Sequence, residues 1–176
     1  MRFGWGRAAA LAALIAVAGC NRGAADPQAD LDERARTAEF FLSSNARAEG
    51  VQTLPSGLQY KVVQSGPPSG ESPDRNDLVR VDYEGALTDG TIFDSSFSRG
   101  APAVFTPETV VPGWTEALQR MKVGDEWILY VPPALGYGEA GGPPTIPPNS
   151  VLVFRLRLLD LARVPGGGSG VGSAMG

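Results

Sequence analysis

Apolar residues recur at steps of three and four along the segment that follows residue 26, which is the spacing of one face of an α-helix. These positions are Leu31, Ala35, Ala38, Phe41, Leu42 and Ala46. Asp26 followed by Pro27 is typical of a helix N-terminus, and Gly50 provides a stop in the left-handed conformation. The pattern predicts an N-terminal amphipathic helix. Because its apolar face is thin and rich in alanine, a solvated stalk and a dimerisation helix both remain open.

From Val51 onward the pattern changes to short β-rich runs separated by turns. The first two runs are residues 51–54 and 58–64, with Pro, Ser and Gly between them. Three later segments alternate apolar and polar residues, as strands with one buried face do. Their apolar positions are Val79, Val81 and Tyr83; Trp127, Leu129 and Val131; and Leu152, Phe154, Leu156 and Leu158. The dipeptide Asp89-Gly90 is a strong turn signal and predicts a hairpin.

One helical pattern interrupts these strands. Within residues 112–121, one helical face carries Trp114, Leu118 and Met121. We predict an α+β fold, in which an antiparallel sheet buries one face against this short helix and is preceded by the N-terminal helix. The domain spans residues 51–164, and the residues 165–176, mostly Gly and Ser, are predicted to be disordered.

The start of the chain is typical of a secretory signal. Arg2 and Arg7 precede an apolar run, Ala8 to Ala18, that is too short to span a bilayer. We predict a signal peptide over residues 1–19 that is removed on export.

Residues 17–20, with the sequence VAGC, resemble the bacterial lipobox, in which the cysteine is lipidated and becomes the first mature residue. We predict lipidation of Cys20, which would anchor the helical segment 20–50 to a membrane. An ordinary cleavage site near Ala18 and an uncleaved anchor are the alternatives. Asn21 is not the aspartate that resembles an inner-membrane retention signal, so the resemblance to bacterial lipoproteins implies sorting to the outer membrane. We expect the periplasmic side, and the sequence leaves the leaflet open.

Charge and cysteine content narrow the classes of function. The chain has 15 basic and 19 acidic side chains, and removal of residues 1–19 would leave 13 basic against 19 acidic, a net charge of −6. Nucleic acid is therefore not expected as a partner. The sequence contains no histidine and one cysteine, so thiol nucleophiles, disulfides and the usual nitrogen and sulfur metal sites drop out. We predict no metal and no cofactor.

What remains for chemistry is a set of aromatic residues with one carboxylate, Asp94. The aromatics are Tyr83, Phe93, Trp114, Tyr137 and Phe154. Each of them alone is more readily explained as part of the core. They lie on five different predicted elements, however, and aromatic residues from five elements would come together only around a shared site. The pattern indicates an apolar pocket with few polar groups.

Five motifs carry a resemblance to a known family. They are VDYEG (81–85), DGTIFDSS (89–96), VVPGW (110–114), LGYG (135–138) and IPPNSVLVF (146–154). Over roughly residues 58–161, this set resembles the FKBP-type peptidyl-prolyl cis-trans isomerases. Residues 41–63 and 112–121 resemble more narrowly the macrophage infectivity potentiator (Mip) branch. The resemblance implies a strongly twisted antiparallel sheet wrapped on the short helix, and an enzyme that isomerises Xaa-Pro bonds.

The resemblance also implies roles for single residues. Trp114 corresponds to the floor of a pocket that receives a substrate proline ring. The implied walls are Tyr83, Phe93, Phe105, Val110, Val111, Ile146 and Phe154. Tyr137 corresponds to the hydroxyl that bonds the substrate carbonyl, and Asp94 to the polar residue near the twisting amide. Tyr83 completes the implied catalytic group.

Asp94 has a second interpretation, in which its carboxylate binds the Tyr83 hydroxyl or pairs with Arg99 and so holds the shape of the pocket. Direct electrostatic catalysis and this structural role both remain open. The sequence also departs from the best-known eukaryotic members at three positions around the same site. They are Ala103, Gly142 and Thr145. These differences concern macrolide affinity and substrate preference.

Three hypotheses of function follow. The first is a lipid-anchored, cofactor-free prolyl isomerase that acts on proline-containing segments of exported polypeptides, where slow proline steps limit folding. The second is a binding module or holdase chaperone that grips such segments without accelerating them. The third, a structural envelope lipoprotein, explains the anchor but not the pocket. Macrolide inhibitors and a homodimer remain open as further partners.

Overall fold

The computed structural model describes residues 26–165. The predicted signal peptide, the predicted lipidation at Cys20 and all but the first residue of the predicted disordered tail lie outside this range. Between residues 26 and 165, no helix combines the length and the apolar character that crossing a membrane requires.

The N-terminal helix, α1, spans Pro27–Asn45. The Asp26 side chain accepts a hydrogen bond from the backbone N–H of Gln28 at 3.0 Å, which confirms the predicted N-cap. The predicted stop at Gly50 is wrong by about one turn. After Asn45 the chain continues through turn hydrogen bonds, and Gly50 adopts its positive φ of 77° at the end of them, directly before the first strand.

Within residues 26–165, seven strands form one sheet, and its antiparallel pairing confirms the prediction. They are β1 (Val51–Thr53), β2 (Gln59–Gln64), β3 (Leu78–Leu87), β4 (Ile92–Ser95), β5 (Ala103–Phe105), β6 (Glu126–Val131) and β7 (Leu152–Ala162). The strand order is β1-β2-β6-β7-β3-β4, and β5 pairs with the first half of β3. The long pairing of β3 with β7 places Gly85 opposite Phe154. Arg155 and Arg157 are exposed on the solvated face of the sheet, as expected.

The core lies between the inner face of the sheet and α3 (Pro112–Leu118). The buried apolar side chains of α3 and of the turn after it are those of Trp114, Ala117, Leu118 and Met121. They join the inward-facing side chains of β3, β6 and β7 in one hydrophobic cluster. Gly113 permits the close approach of helix and sheet, because a Cβ at this position would lie 2.7 Å from Cγ1 of Val131. The predicted helix on one sheet face is confirmed.

A second short helix, α2 (Ser96–Arg99), was not predicted. The Ser95 side chain accepts a hydrogen bond from the backbone N–H of Ser98 at 3.3 Å, and Gly100 ends the turn with a φ of 72°. This single turn directly follows β4. The helix has four residues, which are too few for the sequence to reveal it. The turn places Arg99 beside Asp94, with which it forms an ion pair.

Helix α1 lies against the sheet domain. The Gln59 side chain donates to the carbonyl oxygen of Leu42 at 2.8 Å and accepts a hydrogen bond from Asn45 at 2.9 Å. The ring centroids of Phe41 and Tyr130 are 6.2 Å apart. The contact is narrow, since Ala38 is the one buried residue of this helix. The predicted role of the helix in dimerisation stays a prediction.

Candidate functional site

A cavity of about 520 Å³ opens between the N-terminal end of α3, the strands β3, β4 and β7, and the loop between β6 and β7. Its lining residues are Tyr83, Phe93, Asp94, Phe105, Thr109, Val110, Val111, Trp114, Tyr137 and Phe154. The structure therefore brings together, around one cavity, all the predicted site residues between positions 26 and 165 except Ile146. Thr109 is an addition that the sequence patterns did not indicate.

Trp114, the predicted floor, lines this cavity and packs perpendicular to three other aromatic rings. Its ring centroid is 5.1 Å from that of Tyr83, 5.9 Å from Phe105 and 5.1 Å from Phe154, with interplanar angles of 87°, 86° and 81°. Edge-to-face contacts of this kind are favourable because the positive edge of one ring meets the negative face of another. The cavity is therefore shaped by aromatic packing.

Gly85 makes room for two of the wall residues. A Cβ at Gly85 would lie 2.6 Å from the Phe154 ring and 2.8 Å from the Phe93 ring. These two rings are perpendicular, with centroids 5.6 Å apart. The glycine at the end of VDYEG therefore has a packing role that its position on a strand did not reveal, because the rings that approach it come from β4 and β7.

Asp94, Tyr83 and Arg99 form a connected polar group at the edge of the cavity. The Tyr83 hydroxyl donates to Oδ2 of Asp94 at 2.5 Å. Arg99 donates from Nη2 to the Tyr83 hydroxyl oxygen at 2.7 Å and pairs through Nη1 with Oδ1 of Asp94. Both contacts named in the structural interpretation of Asp94 are present. Asp94 also lines the cavity, so its role in catalysis stays a prediction.

These contacts shift two pKa values in opposite directions. Burial, reinforced by the hydrogen bond to Asp94, raises the pKa of Tyr83. Burial alone would also raise the pKa of Asp94, but the hydrogen bonds from Tyr83 and Arg99 outweigh it and lower this pKa. At neutral pH the edge of the cavity therefore carries a neutral phenol and an ionised carboxylate.

Two further polar groups belong to residues that line the cavity. Tyr137 is 44% exposed on the loop between β6 and β7, and its hydroxyl has no hydrogen-bond partner among residues 26–165. The indole N–H of Trp114 is buried and likewise has no partner within this range. No group of three or more His, Cys, Asp or Glu side chains in the same range is arranged to hold a metal ion.

Ile146 is not among the residues that line the cavity. It is 6% exposed, belongs to the hydrophobic core and forms a bridge with Gly142 at the base of the loop that follows Tyr137. A Cβ at Gly142 would meet both Ile146 and the Tyr137 ring. Ile146 therefore packs at the base of this loop, and its predicted contact with a bound proline stays a prediction.

The fold and the cavity define an α+β domain with an aromatic binding pocket. Comparison with known proteins identifies its family. Residues 69–159 match the FKBP-type peptidyl-prolyl cis-trans isomerases, and residues 9–62 match the domain that lies amino terminal to them. The chain belongs to the FKBP-type peptidyl-prolyl cis-trans isomerase family. The family and the fold predicted from the sequence are both confirmed.

Two curated relatives illustrate the similarity. The peptidyl-prolyl cis-trans isomerase Mip of Coxiella burnetii is 50% identical over 129 residues, which are 73% of this chain and 55% of that protein. The outer membrane protein MIP of Legionella longbeachae is 44% identical over 134 residues, 75% of this chain and 56% of that protein. The chain thus spans about half the length of these relatives. Their names agree with the predicted Mip-like branch.

Two solved structures show the same fold. FkpA from Escherichia coli gives a TM-score of 0.71 at 43% identity and covers 78% of this chain and 65% of its own. A peptidyl-prolyl cis-trans isomerase from Pseudomonas syringae pv. tomato gives a TM-score of 0.71 at 33% identity and covers 80% of this chain and 100% of its own.

Proposed function

We propose that the protein is a peptidyl-prolyl cis-trans isomerase that assists the folding of exported polypeptides in the bacterial envelope. The observation that carries this proposal is the aromatic cavity over Trp114, with Asp94 and Tyr137 at its edge. Family membership supports the proposed reaction. No cofactor is needed, because the reaction is a rotation and no bond to another group is made or broken.

The physics of the reaction fits an apolar cavity. Rotation about an Xaa-Pro bond is slow because it breaks amide resonance, with a barrier of about 18–20 kcal/mol. The planar amide is more dipolar than the twisted amide, so transfer into an apolar site destabilises the ground state relative to the transition state. Walls of aromatic and valine side chains supply this environment without a histidine.

In this proposal the floor and the walls bind the proline ring. Trp114 contacts its face, and the ring is enclosed by side chains from β4, β5, β7 and the turn before α3. These wall residues are Phe93, Phe105, Val110, Val111 and Phe154. A deep apolar recess suits the pyrrolidine ring, which has no N–H to satisfy once it is part of a peptide.

The polar edge acts on the twisting amide. Tyr137 donates its exposed hydroxyl to a substrate carbonyl and holds the twisted geometry. Asp94 contributes a negative charge near the rotating bond, while Tyr83 and Arg99 fix the direction of its carboxylate. Because Arg99 pairs with Asp94, part of this charge is neutralised, and we expect the Asp94 contribution to be smaller than that of Tyr137.

For location, we propose the bacterial envelope, with lipidated Cys20 as the membrane anchor on the periplasmic side of the outer membrane. The apolar run before Cys20 and the name of the Legionella relative, outer membrane protein MIP, support this. In this division, residues 1–19 are the signal peptide, 20–50 the anchored helical segment, 51–164 the isomerase domain and 165–176 a Gly- and Ser-rich tail.

Two partners remain as proposals beyond the substrate. Macrolide inhibitors, which bind in this cavity in members of the family, are the first. Ala103 lies on β5 beside the wall, and we expect it to make the affinity for macrolides differ from that of the eukaryotic members. A homodimer through α1 is the second proposal. The 74% exposed Phe40 on this helix supports it.

The test is the cis-to-trans isomerisation of short Xaa-Pro peptides by the purified chain, with the residue before proline varied. We expect clear acceleration by the wild type and strong reduction in Tyr137→Phe, with a smaller reduction in Asp94→Ala. Correct folding of each variant is checked by circular dichroism. A folded wild-type chain that binds proline peptides without accelerating them would instead support the binding module.

A further inference from the structure

Asn149 lies between helix α1 and the loop that carries Tyr137. Its backbone N–H donates to the carbonyl oxygen of Gly138, directly after Tyr137, at 2.9 Å. Its side-chain amide donates to the carbonyl oxygen of Leu31 in α1 at 3.1 Å. One residue therefore joins the N-terminal helix to this loop through two separate hydrogen bonds.

The backbone of Asn149 is also unusual. Its φ is 54°, and among residues 26–165 it is the one non-glycine residue with positive φ. Asparagine tolerates this left-handed conformation better than most residues do. A residue in such a sparsely populated region persists when its surroundings determine its conformation, and such residues cluster at functional sites. At Asn149 the two hydrogen bonds provide those surroundings.

The loop after Tyr137 makes backbone hydrogen bonds within itself and one to Asn149 near its beginning. The Gly141 N–H donates to the Tyr137 carbonyl oxygen at 3.1 Å, and Gly142 and Ile146 exchange backbone hydrogen bonds of 2.8 and 2.9 Å. These bonds join the loop to itself. The bond from Asn149 to Gly138 instead ties its first residues to the segment that enters β7.

We propose that Asn149 is a positioning residue for Tyr137, and that the docked helix α1 supports the site through it. Asn149 does not line the cavity, so it acts through the loop and not on the substrate. The inference rests on the proposed function, because that function assigns the Tyr137 hydroxyl to the substrate carbonyl. Catalytic groups must be held to within fractions of an ångström, so loosening their support lowers the rate.

Asn149→Gly is the informative variant. Glycine keeps the positive φ and the backbone N–H to Gly138 but removes the side-chain bond to Leu31. We expect kcat to fall about three- to tenfold, which corresponds to the net contribution of one hydrogen bond. KM should change little, because the substitution does not alter Trp114 or the walls of the cavity. Asn149→Asp also tolerates positive φ, lacks the donor, and should show the same loss.

A matched control is available in the same helix. Asn45→Ala removes another side-chain hydrogen bond between α1 and the sheet domain, to Gln59, at the opposite end of the helix from Leu31. A general loosening of the helix would affect both variants equally. We expect Asn45→Ala to keep the wild-type kcat, with thermal unfolding of all variants measured in parallel.

The decisive readout is a double-mutant cycle with Tyr137→Phe, using the full chain in mild detergent and a tetrapeptide substrate. If Asn149 acts through the Tyr137 hydroxyl, Asn149→Gly should cause no further loss in the Tyr137→Phe background. Additive losses, a wild-type kcat in Asn149→Gly, or an equal loss in Asn45→Ala would each overturn the inference. An inactive wild-type chain would overturn the proposed function itself and is recognised before any variant is made.

Discussion

The floor and the edge of the cavity are held by different kinds of interaction. Trp114 on the floor is 4% exposed and is enclosed by three perpendicular aromatic rings. At the edge, Tyr137 is 44% exposed, and the Asp94 and Arg99 side chains of the ion pair are 44% and 48% exposed. A substitution in a close-packed interior lowers stability, whereas exposed polar contacts compete with water and contribute little to it. The comparison suggests that the floor determines affinity and stability, and that the edge determines rate.

The largest expected effect is on the floor. Trp114→Ala should lower the free energy of unfolding by about 3–5 kcal/mol, because it removes a buried indole and leaves a cavity among Tyr83, Phe105 and Phe154. Chemical denaturation measures this loss. Peptide binding should be abolished with it. Tyr137→Phe serves as the control and should leave the free energy of unfolding within about 0.5 kcal/mol of wild type, as exposed substitutions usually do. An equal loss in both variants would contradict the distinction between floor and edge.

A smaller effect is expected in the wall. Gly85→Ala places a methyl group within 2.6–2.8 Å of the Phe154 and Phe93 rings, so both must move. Overpacking of this kind costs about 1–3 kcal/mol. Thermal unfolding and peptide affinity should both decrease. The control for stability alone is Gly142→Ala, whose nearest contact is Cδ1 of Ile146 at 3.3 Å. A Gly85→Ala protein as stable as this control would show that the wall is not closely packed.

The smallest effect concerns pH. The pKa of Asp94 is lowered by Tyr83 and Arg99, so its contribution to stability is present above its unfolded pKa of about 3.9 and is lost as pH falls through the lower folded value. The raised pKa of Tyr83 keeps the phenol neutral. We expect kcat/KM to be flat from about pH 5 to 9, since the chain contains no histidine.

Arg99→Gln sharpens this prediction. Without the guanidinium, the folded pKa of Asp94 should rise, and the acid limb of stability should move to higher pH. Because both side chains are nearly half exposed, the accompanying loss of stability at neutral pH should be below about 1 kcal/mol. A step in the rate near neutral pH in the wild type would instead require a titrating group that the described site does not contain.

The elements that could be predicted from sequence are those with a long, regular pattern. The alternation of Val79, Val81 and Tyr83 marks β3, and Asp26 before Pro27 marks the start of α1. In contrast, β5 has three residues and exists because it pairs with β3, and α2 has four residues that depend on the Ser95 cap. Such short elements leave too few positions for a period to be recognised.

The site divides in the same way. The aromatic residues could be selected because they recur on separate elements and because the motifs resemble a family. Thr109 carries no such signal, since an exposed threonine is ordinary in any sequence. Asn149 lies within the motif IPPNSVLVF, but the motif does not reveal which groups its backbone and side chain bond. For Ile146, the motif gives the order of the residues but not the direction of the side chain, which packs in the core. The placement of a loop residue depends on hydrogen bonds between residues distant in sequence, such as that between Asn149 and Gly138.

One measurement tests most directly the claim that floor and edge have separate functions. Peptide affinity and kcat would be measured for Trp114→Leu and Tyr137→Phe on the same proline peptide, after folding is confirmed for both. The account predicts that Trp114→Leu loses affinity and rate together, and that Tyr137→Phe loses rate with affinity nearly retained. Equal losses of affinity and rate in both variants would contradict it and would indicate a simple proline-binding pocket.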